Sequence, residues 1–464
     1  MNSNGKGAEN IVTLQARVAC PHCWHGFPPD RALWISQHPD LVGDQRLGQD
    51  QQRRFLPTRF RIDGTAFDER GFPCHELACP KCHLPVPRAM FEMEPFFLSI
   101  FGAPASGKSY FLASMTWQLR KTLPQHFALS FGDADAASNH RLQQYEGLHF
   151  LNPNHDGLVA IEKTETHGDL YDTVLFGDQS VSYLRPFLFC LNPLERHPNF
   201  KAGARISRAI CLYDNAGESF LPGQDTATNP VTRHLAHSQA LFFLFDPSQD
   251  VRFRSACKGK TSDPQMVERA ERSGRERPVR QETILLEAGQ RVRRYAGLSQ
   301  NTKHSRPLII VVTKYDCWSF LLDGQKLQSP WAENTTVSIS AMRLETVESM
   351  SQKVRALLWK LTPELVSAAE TFAEHVIYIP VSATGCSPEQ DPQTGALGMR
   401  PRNIQPQWVE VPMMYAIARW SKGVIPYCKP PAAPAQGGDA PRRASQSPQA
   451  AASTGNPQLP RRKH

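Results

Sequence analysis

A glycine-rich segment, GAPASGKS at positions 102–109, follows a run of apolar residues at 96–101. An apolar strand, a loop with this spacing and a following helix form a cradle for phosphate. The loop N–H groups and the positive end of the helix dipole favour an anion there. Lys108 is expected to reach the β and γ phosphate oxygens, and Ser109 to bind Mg²⁺. The segment therefore predicts phosphate binding, but it leaves the base and the fate of the phosphate open.

Four further apolar runs have strand length and lie at 209–213, 240–245, 307–312 and 376–381. Their continuous rather than alternating hydrophobicity is typical of strands buried on both faces of a mostly parallel sheet. Helical patterns lie between several of them, at 108–123, 281–295 and 341–361. The alternation of strands and helices predicts an α/β doubly wound domain with helices on both faces of the sheet.

The run at 209–213 continues as DNAGES, with Asp214 at its end. Asp214 is expected to hold Mg²⁺ through water, and the Gly217 N–H to contact a γ-phosphate. An Asp followed three residues later by Gly favours a GTPase, because an ATPase more often ends this strand in consecutive acidic residues. Glu218 follows at a position suited to orient the attacking water, so it is a predicted catalytic residue together with Lys108.

A threonine on a loop before that strand would sense the γ-phosphate and Mg²⁺. Thr164 and Thr166 lie in polar, loop-like sequence, unlike Thr173. The sequence does not choose between the first two, and Thr166 is our prediction for the catalytic group.

The fourth run leads into Thr313, Lys314, Tyr315 and Asp316. The Asp316 carboxylate would accept from both N1–H and the 2-amino group of guanine, whereas adenine offers no such pair of donors, and Lys314 would lie along the ring. The fifth run ends in Ser382 and Ala383, where a backbone N–H would meet guanine O6. The predicted nucleotide-binding residues are thus Gly102, Ala105, Ser106, Gly107, Lys108, Ser109, Tyr110, Asp214, Gly217, Thr313, Lys314, Asp316, Ser382 and Ala383.

Taken together, these motifs resemble the TRAFAC class of P-loop GTPases over about residues 96–420. Thr313 stands where the class usually has Asn, and Thr384 where it usually has Lys. The cysteine-rich start, the enlarged core and the long insertions resemble more narrowly the bacterial double-GTPase family of conflict systems. The resemblance implies a P-loop NTPase fold and a regulatory GTPase that binds GTP/GDP and Mg²⁺ and acts with neighbouring proteins in defence or a related response.

Two Cys-x-x-Cys pairs, CPHC and CPKC, lie 55 residues apart. Two such turns complete a tetrahedral Zn²⁺ site of four thiolates, which leaves no open position for catalysis. The predicted zinc ligands are Cys20, Cys23, Cys79 and Cys82, and the nearby alternatives are Cys74, His75, His22 and His25. Whether this region binds protein, nucleic acid or the GTPase domain stays open.

Composition divides the chain into a zinc-ribbon-like domain at 1–90, a GTPase domain with insertions at 91–425, and a disordered tail at 426–464. Of the net charge of +8, the stretches 429–464 and 252–280 carry +5 each, so the remainder carries −2. These basic segments predict contact with nucleic acid or anionic lipid, or serve only as solvated loops. No apolar run reaches 18 residues or resembles a signal peptide, so we expect a cytoplasmic protein without a transmembrane segment.

The leading hypothesis is a GTP-hydrolysing switch with unidentified protein partners. Two alternatives remain. One is a P-loop ATPase; the other is an interaction module, in which the zinc ribbon and the basic tail bind a partner or nucleic acid while the nucleotide domain hydrolyses slowly.

Overall fold

A seven-stranded sheet organises the computed structural model of the chain. In chain order its strands are β1 (Glu94–Gly102), β2 (Leu129–Asp133), β3 (Phe187–Pro193), β4 (Arg208–Asp214), β5 (Ala240–Phe245), β6 (Leu308–Val312) and β7 (Val376–Pro380). Across the sheet they follow the order β2-β3-β4-β1-β5-β6-β7. The five strands from β4 to β7 in this order are parallel, and β3 and β2 pair antiparallel at one edge.

The structure describes residues 13–161, 170–215, 217–220, 232–267, 280–334 and 339–428, without the side chains of Ala204, Glu218, Glu333 and Asn334. Residues Met1–Cys428 form one compact unit. The second unit, Lys429–His464, lies outside the described residues.

All five predicted apolar runs form strands of the sheet, because each is buried along its whole length or nearly so. The mostly parallel α/β architecture is therefore confirmed. The two antiparallel strands at the edge were not predicted. The first of them, β2, has the sequence LSFGD, in which Ser, Gly and Asp interrupt the apolar pattern.

Six longer helices accompany the sheet: α1 (Lys108–Phe127), α2 (Ala136–Phe150), α3 (Gln281–Ala296), α4 (Leu344–Leu361), α5 (Pro363–Phe372) and α6 (Val411–Trp420). The prediction of a helix over 341–361 was wrong at its start. Ile339–Arg343 is a strand that pairs with Trp331–Asn334, because the ladder between them satisfies its backbone groups before the helix begins. Tyr427–Cys428 adds a third strand to this small sheet.

The remaining elements are short. Helices or 3₁₀ turns lie at Pro29–Arg31, Ala89–Glu92, Phe200–Ala202, Gly203–Ile206, Gly217–Phe220, His234–His237, Pro247–Gln249, Val251–Cys257, Pro264–Val267, Tyr315–Trp318, Ser319–Leu322 and Pro401–Asn403. Strands outside the central sheet lie at Val18–Ala19, Gly26–Phe27, Leu33–Ile35, Val42–Asp44, Gly48–Gln52, Arg54–Phe55, Ala66–Phe67, Pro73–Cys74, Leu77–Ala78, Tyr171–Phe176, Gln179–Leu184, Glu389–Gln390 and Leu397–Gly398.

The face of β1 and β4 opposite α1 is covered by the cysteine-rich N-terminal region. Phe97 of β1 and Tyr213 of β4 belong to a second core, which they share with the four predicted zinc ligands and the hairpin Tyr171–Phe176/Gln179–Leu184. The expectation of helices on both faces is corrected for this part of the sheet. The N-terminal region has little apolar sequence of its own, so it is buried against the sheet.

The carboxyl ends of the parallel strands lie level with one another at one edge. In the strand register Asp214 pairs with Ile100, Gly102 with Leu244, and Val312 with both Phe245 and Pro380. The strand order reverses at β1, which has β4 on one side and β5 on the other. A crevice beside such a reversal is the usual ligand site of an open α/β sheet.

Candidate functional site

A cavity of about 310 Å³ opens at the carboxyl ends of β1, β6 and β7. The predicted residues that line it are 105–110, Gly217, Thr313, Lys314, Asp316, Ser382 and Ala383. Gly102 and Asp214 do not line it, although Lys108 interacts with both, as described below. The structure thus brings predicted residues from four separate segments of the chain to one cavity.

The loop between β1 and α1 has a tightly constrained backbone. Ala105 and Gly107 adopt left-handed φ angles of 56° and 85°, and α1 begins at Lys108. A Cβ on Gly102 would lie 2.6 Å from the Leu244 carbonyl oxygen, so this position accepts only glycine. The Lys108 ammonium is buried and donates to the Gly102 and Ala103 carbonyl oxygens at 3.3 and 3.0 Å. The loop therefore curls around a cationic group.

Asp214 lies behind this loop with a buried carboxylate. Its Oδ1 atom has no hydrogen-bond partner among the described residues. Burial raises the pKa of Asp214 to about 6, and the positive charges of Lys108 and Arg141 oppose that rise. An unsatisfied buried carboxylate oxygen is the type of group that a hard cation satisfies, so Asp214 fits the role of a Mg²⁺ ligand.

Gly217 packs directly on the same loop. A Cβ at Gly217 would lie 2.4 Å from the Pro104 nitrogen and 2.7 Å from the Ala103 carbonyl carbon. Two residues later, the Ser219 carbonyl oxygen accepts from Arg291 of α3 at 2.6 Å, and the Arg291 side chain is fully buried. The turn at Gly217–Phe220 is thereby fixed against both the loop and α3.

Asp316 and Ser382 are joined at the other end of the cavity. The Ser382 hydroxyl donates to Asp316 Oδ1 at 2.5 Å and accepts from the Gly385 N–H at 2.8 Å. Thr313 anchors the segment to β5, since its hydroxyl donates to the Phe245 carbonyl oxygen at 3.2 Å. The Ala383 carbonyl oxygen accepts from Ser114 of α1 at 2.7 Å, which ties this loop to the helix that follows the glycine-rich loop.

Sequence reasoning missed Asp246, which follows β5 directly. Its buried carboxylate accepts from Lys314 Nζ at 2.9 Å, and Lys314 also donates to Ser248 at 2.7 Å. Gln249 donates to the Pro104 carbonyl oxygen at 3.0 Å, so the segment after β5 contacts the glycine-rich loop. A signal was present, because Asp246 ends an apolar run in the same way as Asp214.

Two insertions supply a further wall of the cavity. Ala160 and Ile161 line it from one insertion, and Leu397 and Met399 from another. The two are joined by a backbone pair, in which Met399 donates to Val159 at 2.7 Å and Val159 donates back at 2.9 Å. No local pattern in the sequence could have indicated a contact between segments this far apart.

Three of the predicted residues are not part of the described site. Thr164 and Thr166 lie outside the described residues, as does the side chain of Glu218. Most of the arginine-rich insertion, at 268–279, and the basic tail from 429 lie outside them as well.

The four predicted zinc ligands form a cluster on the other side of the sheet. Their sulfur atoms all lie within 4.8 Å of one another, and all four residues are buried. The Cys20 and Cys82 sulfurs are 3.6 Å apart, and those of Cys23 and Cys79 are 3.7 Å apart, so neither pair is a disulfide. This donor set fits a closed, tetrahedral structural metal site.

The two cysteine turns have the same backbone geometry. His22 N–H points to Cys20 Sγ and Lys81 N–H to Cys79 Sγ, each at 3.4 Å. Each turn ends in a left-handed residue, Trp24 with φ 56° and His83 with φ 62°. The alternative ligands are not part of the cluster; the buried Cys74, for example, donates to the Phe72 carbonyl oxygen.

The first cysteine turn is bound to the end of β4. Tyr213 is fully buried, and its hydroxyl contacts both the Pro21 carbonyl oxygen and the Trp24 indole N–H. The Trp24 ring also stacks on His237, with 5.1 Å between ring centroids. The cysteine cluster and the strand that carries Asp214 are therefore joined by a buried polar contact.

No protein-family model matches the chain. One similar protein is the "Putative ESX-1 scaffolding and assembly protein SaeC" of Mycolicibacterium smegmatis (strain ATCC 700084 / mc(2)155), which is 27% identical over 244 residues. The similarity covers 49% of this chain, and the chain spans 57% of that relative. Within the described residues, helices that combine the length and the apolar character needed to cross a bilayer do not occur.

Proposed function

We propose that the chain is a guanine-nucleotide switch that binds and hydrolyses GTP and controls the assembly of partner proteins. The observation that carries this proposal is the single cavity in which 105–110 meets Asp316 and Ser382. A glycine-rich loop that leads into the N-terminus of α1 at one end, and a carboxylate at the other, match a phosphate tail and a base with two adjacent donors.

The phosphate end has the groups that phosphoryl transfer requires. Lys108 lies within the loop, where its charge would balance the β and γ phosphate oxygens in place of the carbonyl contacts that it makes now. Ser109 at the start of α1 and the buried Asp214 would hold Mg²⁺, which neutralises phosphate charge when it is bound. Gly217 is close enough to the loop for its N–H to serve a γ-phosphate.

The base end favours guanine over adenine. The Ser382 hydroxyl orients Asp316, and the buried Asp246 holds the Lys314 ammonium, so the Lys314 stem is fixed beside the cavity. A carboxylate at that end accepts from N1–H and the 2-amino group of guanine and repels the N1 lone pair of adenine. The same reasoning disfavours the ATPase alternative.

Hydrolysis is the next step of the proposal. Lys108 would stabilise charge that develops on the γ-phosphate, Glu218 would orient water, and Thr166 or Thr164 would close over the phosphate. The contact between Arg291 and the Ser219 carbonyl oxygen supports this assignment, since it fixes the backbone beside Glu218.

The output of the switch is proposed from the relative. The name of the mycobacterial protein refers to scaffolding and assembly of ESX-1. We propose that this chain likewise acts on protein partners in a secretion-related assembly, and that zinc in the cysteine cluster holds the region through which it does so. A role in a defence system, which the family resemblance implies, would use the same nucleotide cycle.

Binding of GDP and ADP to the full-length, zinc-loaded chain tests the proposal, measured by titration calorimetry with Mg²⁺ present. We expect GDP to bind at least about 100-fold more tightly than ADP, because ADP would leave the partly buried Asp316 carboxylate without its two donors. Asp316→Ala should remove that preference. Asp323→Asn, a change at an exposed residue of the adjoining turn, should keep it. Equal affinity for ADP would rule out the guanine assignment, and absence of GTP turnover in a single-turnover assay would rule out the hydrolase.

A further inference from the structure

A second carboxylate, Asp263, faces the same end of the cavity as Asp316. It comes from the insertion after β5, lines the cavity, and is only 1% exposed. Neither the glycine-rich loop nor the segment at 313–316 predicts an acidic residue at this position, because Asp263 reaches the site only through the fold of the insertion.

One thiol connects the two carboxylates. Cys317 Sγ lies 3.0 Å from Asp263 Oδ2 and 3.2 Å from Asp316 Oδ2. A thiol has a single proton and is a weak donor, so it serves one of these oxygens at a time. The other oxygen then faces its negatively charged neighbour without this donor, which is unfavourable in a buried site.

The other oxygen of each carboxylate already accepts one hydrogen bond from a structural partner, and a carboxylate oxygen can accept a second. Asp263 Oδ1 accepts from the Gln265 N–H at 2.7 Å, and Asp316 Oδ1 accepts from the Ser382 hydroxyl at 2.5 Å. The two Oδ2 atoms therefore face each other across the gap between the carboxylates, and a ligand in that gap would contact them. An exocyclic amino group, which carries two N–H donors on one nitrogen, would satisfy both at once.

From this arrangement, and on the basis of the proposed function, we infer that Asp263 and Asp316 together read the 2-amino group of guanine. Asp316 accepts the N1–H and one amino hydrogen, and Asp263 accepts the second amino hydrogen. Hypoxanthine lacks this amino group, and xanthine has an oxygen in its place, so both bases would leave the two carboxylates facing each other. Asp263 is thus a specificity-determining residue that distinguishes guanine from other 6-oxopurines.

The test compares GDP, inosine diphosphate and xanthosine diphosphate on the full-length chain by titration calorimetry. Asp263→Asn keeps the oxygen that accepts from Gln265 but removes the charge. We expect GDP affinity to fall about tenfold, the size of one lost charge-assisted hydrogen bond, with inosine diphosphate affinity unchanged. Xanthosine diphosphate should bind more tightly than to the wild type, because the new amide donates to the 2-oxo group.

Asp250→Asn is the matched control, since Asp250 caps the helix Val251–Cys257 in the same insertion and does not line the cavity. If Asp263→Asn does not fold, Asp263→Ser supplies an oxygen for the same backbone N–H. Equal losses for GDP and inosine diphosphate, or no loss, would overturn the role of Asp263 and leave the proposed function intact. If the wild type binds ADP as tightly as GDP, both the role of Asp263 and the proposed function are ruled out.

Discussion

The Tyr213 hydroxyl donates to the Pro21 carbonyl oxygen at 2.5 Å. Pro21 lies between the first two cysteines of the four-cysteine cluster, and Tyr213 immediately precedes Asp214. The same hydroxyl oxygen accepts from the Trp24 indole N–H at 3.1 Å. The cysteine turn and the predicted Mg²⁺ ligand are therefore connected through one fully buried side chain.

Tyr213→Phe removes that connection without changing the ring. It leaves a buried carbonyl oxygen and an indole N–H without their partner, so we expect a loss of about 1–3 kcal/mol in the free energy of unfolding. Urea denaturation measures this loss of stability. Nucleotide titration shows whether the change also alters the site around Asp214. Tyr427→Phe, at a more exposed tyrosine, serves as the control. Equal stability of the two variants would contradict the structural role of the contact.

The cysteine cluster should hold one zinc ion per chain. Cys79→Ser removes one thiolate from the cluster and should abolish stoichiometric zinc, as measured by elemental analysis of the purified protein. Cys74→Ser changes a buried cysteine that does not belong to the cluster, and it should retain the metal. Loss of zinc in both variants would point to general unfolding instead of loss of a ligand.

Gly217→Ala should disrupt the phosphate end of the cavity. The added methyl group would meet backbone atoms of the glycine-rich loop at 2.4–2.8 Å, which cannot move aside as a flexible side chain would. Overpacking of this kind lowers the free energy of unfolding by about 1–3 kcal/mol. Relief of the clash would displace the backbone of the glycine-rich loop, so GDP affinity should fall about tenfold, which corresponds to about 1.4 kcal/mol. Gly147→Ala in α2, where a methyl group meets nothing within 4 Å, should instead stabilise the protein slightly. Unchanged GDP affinity in Gly217→Ala would contradict the packing of this turn.

Arg291→Met should slow GTP hydrolysis more than it weakens GDP binding. Arg291 is fully buried, holds the Ser219 carbonyl oxygen, and lies 5.6 Å from the Phe220 ring centroid. Without it the backbone beside Glu218 loses its anchor, and the free energy of unfolding should fall by about 3 kcal/mol. Single-turnover hydrolysis and urea denaturation measure the two effects, with Arg294→Met at an exposed position of the same helix as control. Equal hydrolysis rates in the two variants would contradict this role.

Glu410→Gln should change how stability depends on pH. Burial raises the pKa of Glu410 from 4.5 to about 7. The folded state thus holds this proton more tightly than the unfolded state, and stability falls as pH rises from 4.5 through 7. The variant lacks this charge, so at pH 8 it should be more stable than the wild type by up to about 3 kcal/mol, and at pH 4 nearly equal. Urea denaturation at pH 4 and pH 8 measures the difference in the free energy of unfolding. An equal stabilisation of the variant at pH 4 would contradict the raised pKa of Glu410 as its cause.

The central sheet was predictable because its five parallel strands are buried on both faces and read as unbroken apolar runs. The polar residues just beyond those runs, Asp214, Asp316 and Ser382, were predictable for the same reason, since parallel strands end at one edge. The cysteine cluster was predictable from its pair spacing alone.

The rest depends on contacts that leave no local pattern. Strand β2 is short and partly polar, so it does not stand out as an apolar run. Ala341–Arg343 continues the helical pattern of the residues that follow it, and only its pairing with Trp331–Asn334 makes it a strand. Asp263 and Met399 reach the cavity through insertions whose folds are set by tertiary pairing, such as that between Val159 and Met399. The packing of the N-terminal region against the sheet could not be predicted from amino-acid composition, because it depends on which residues of the two parts meet.

Trp24 can serve as an intrinsic fluorescence probe of the cysteine cluster, because it lies next to Cys23 in the chain. The indole follows Cys23 directly and lies parallel to His237, with an interplanar angle of 3°. Loading or stripping of the cysteine cluster would alter the surroundings of this ring and therefore its fluorescence, with no attached dye. Subtracting the emission of a Trp24→Phe variant isolates the signal from the other seven tryptophans, so metal occupancy can be followed in real time while nucleotide is added.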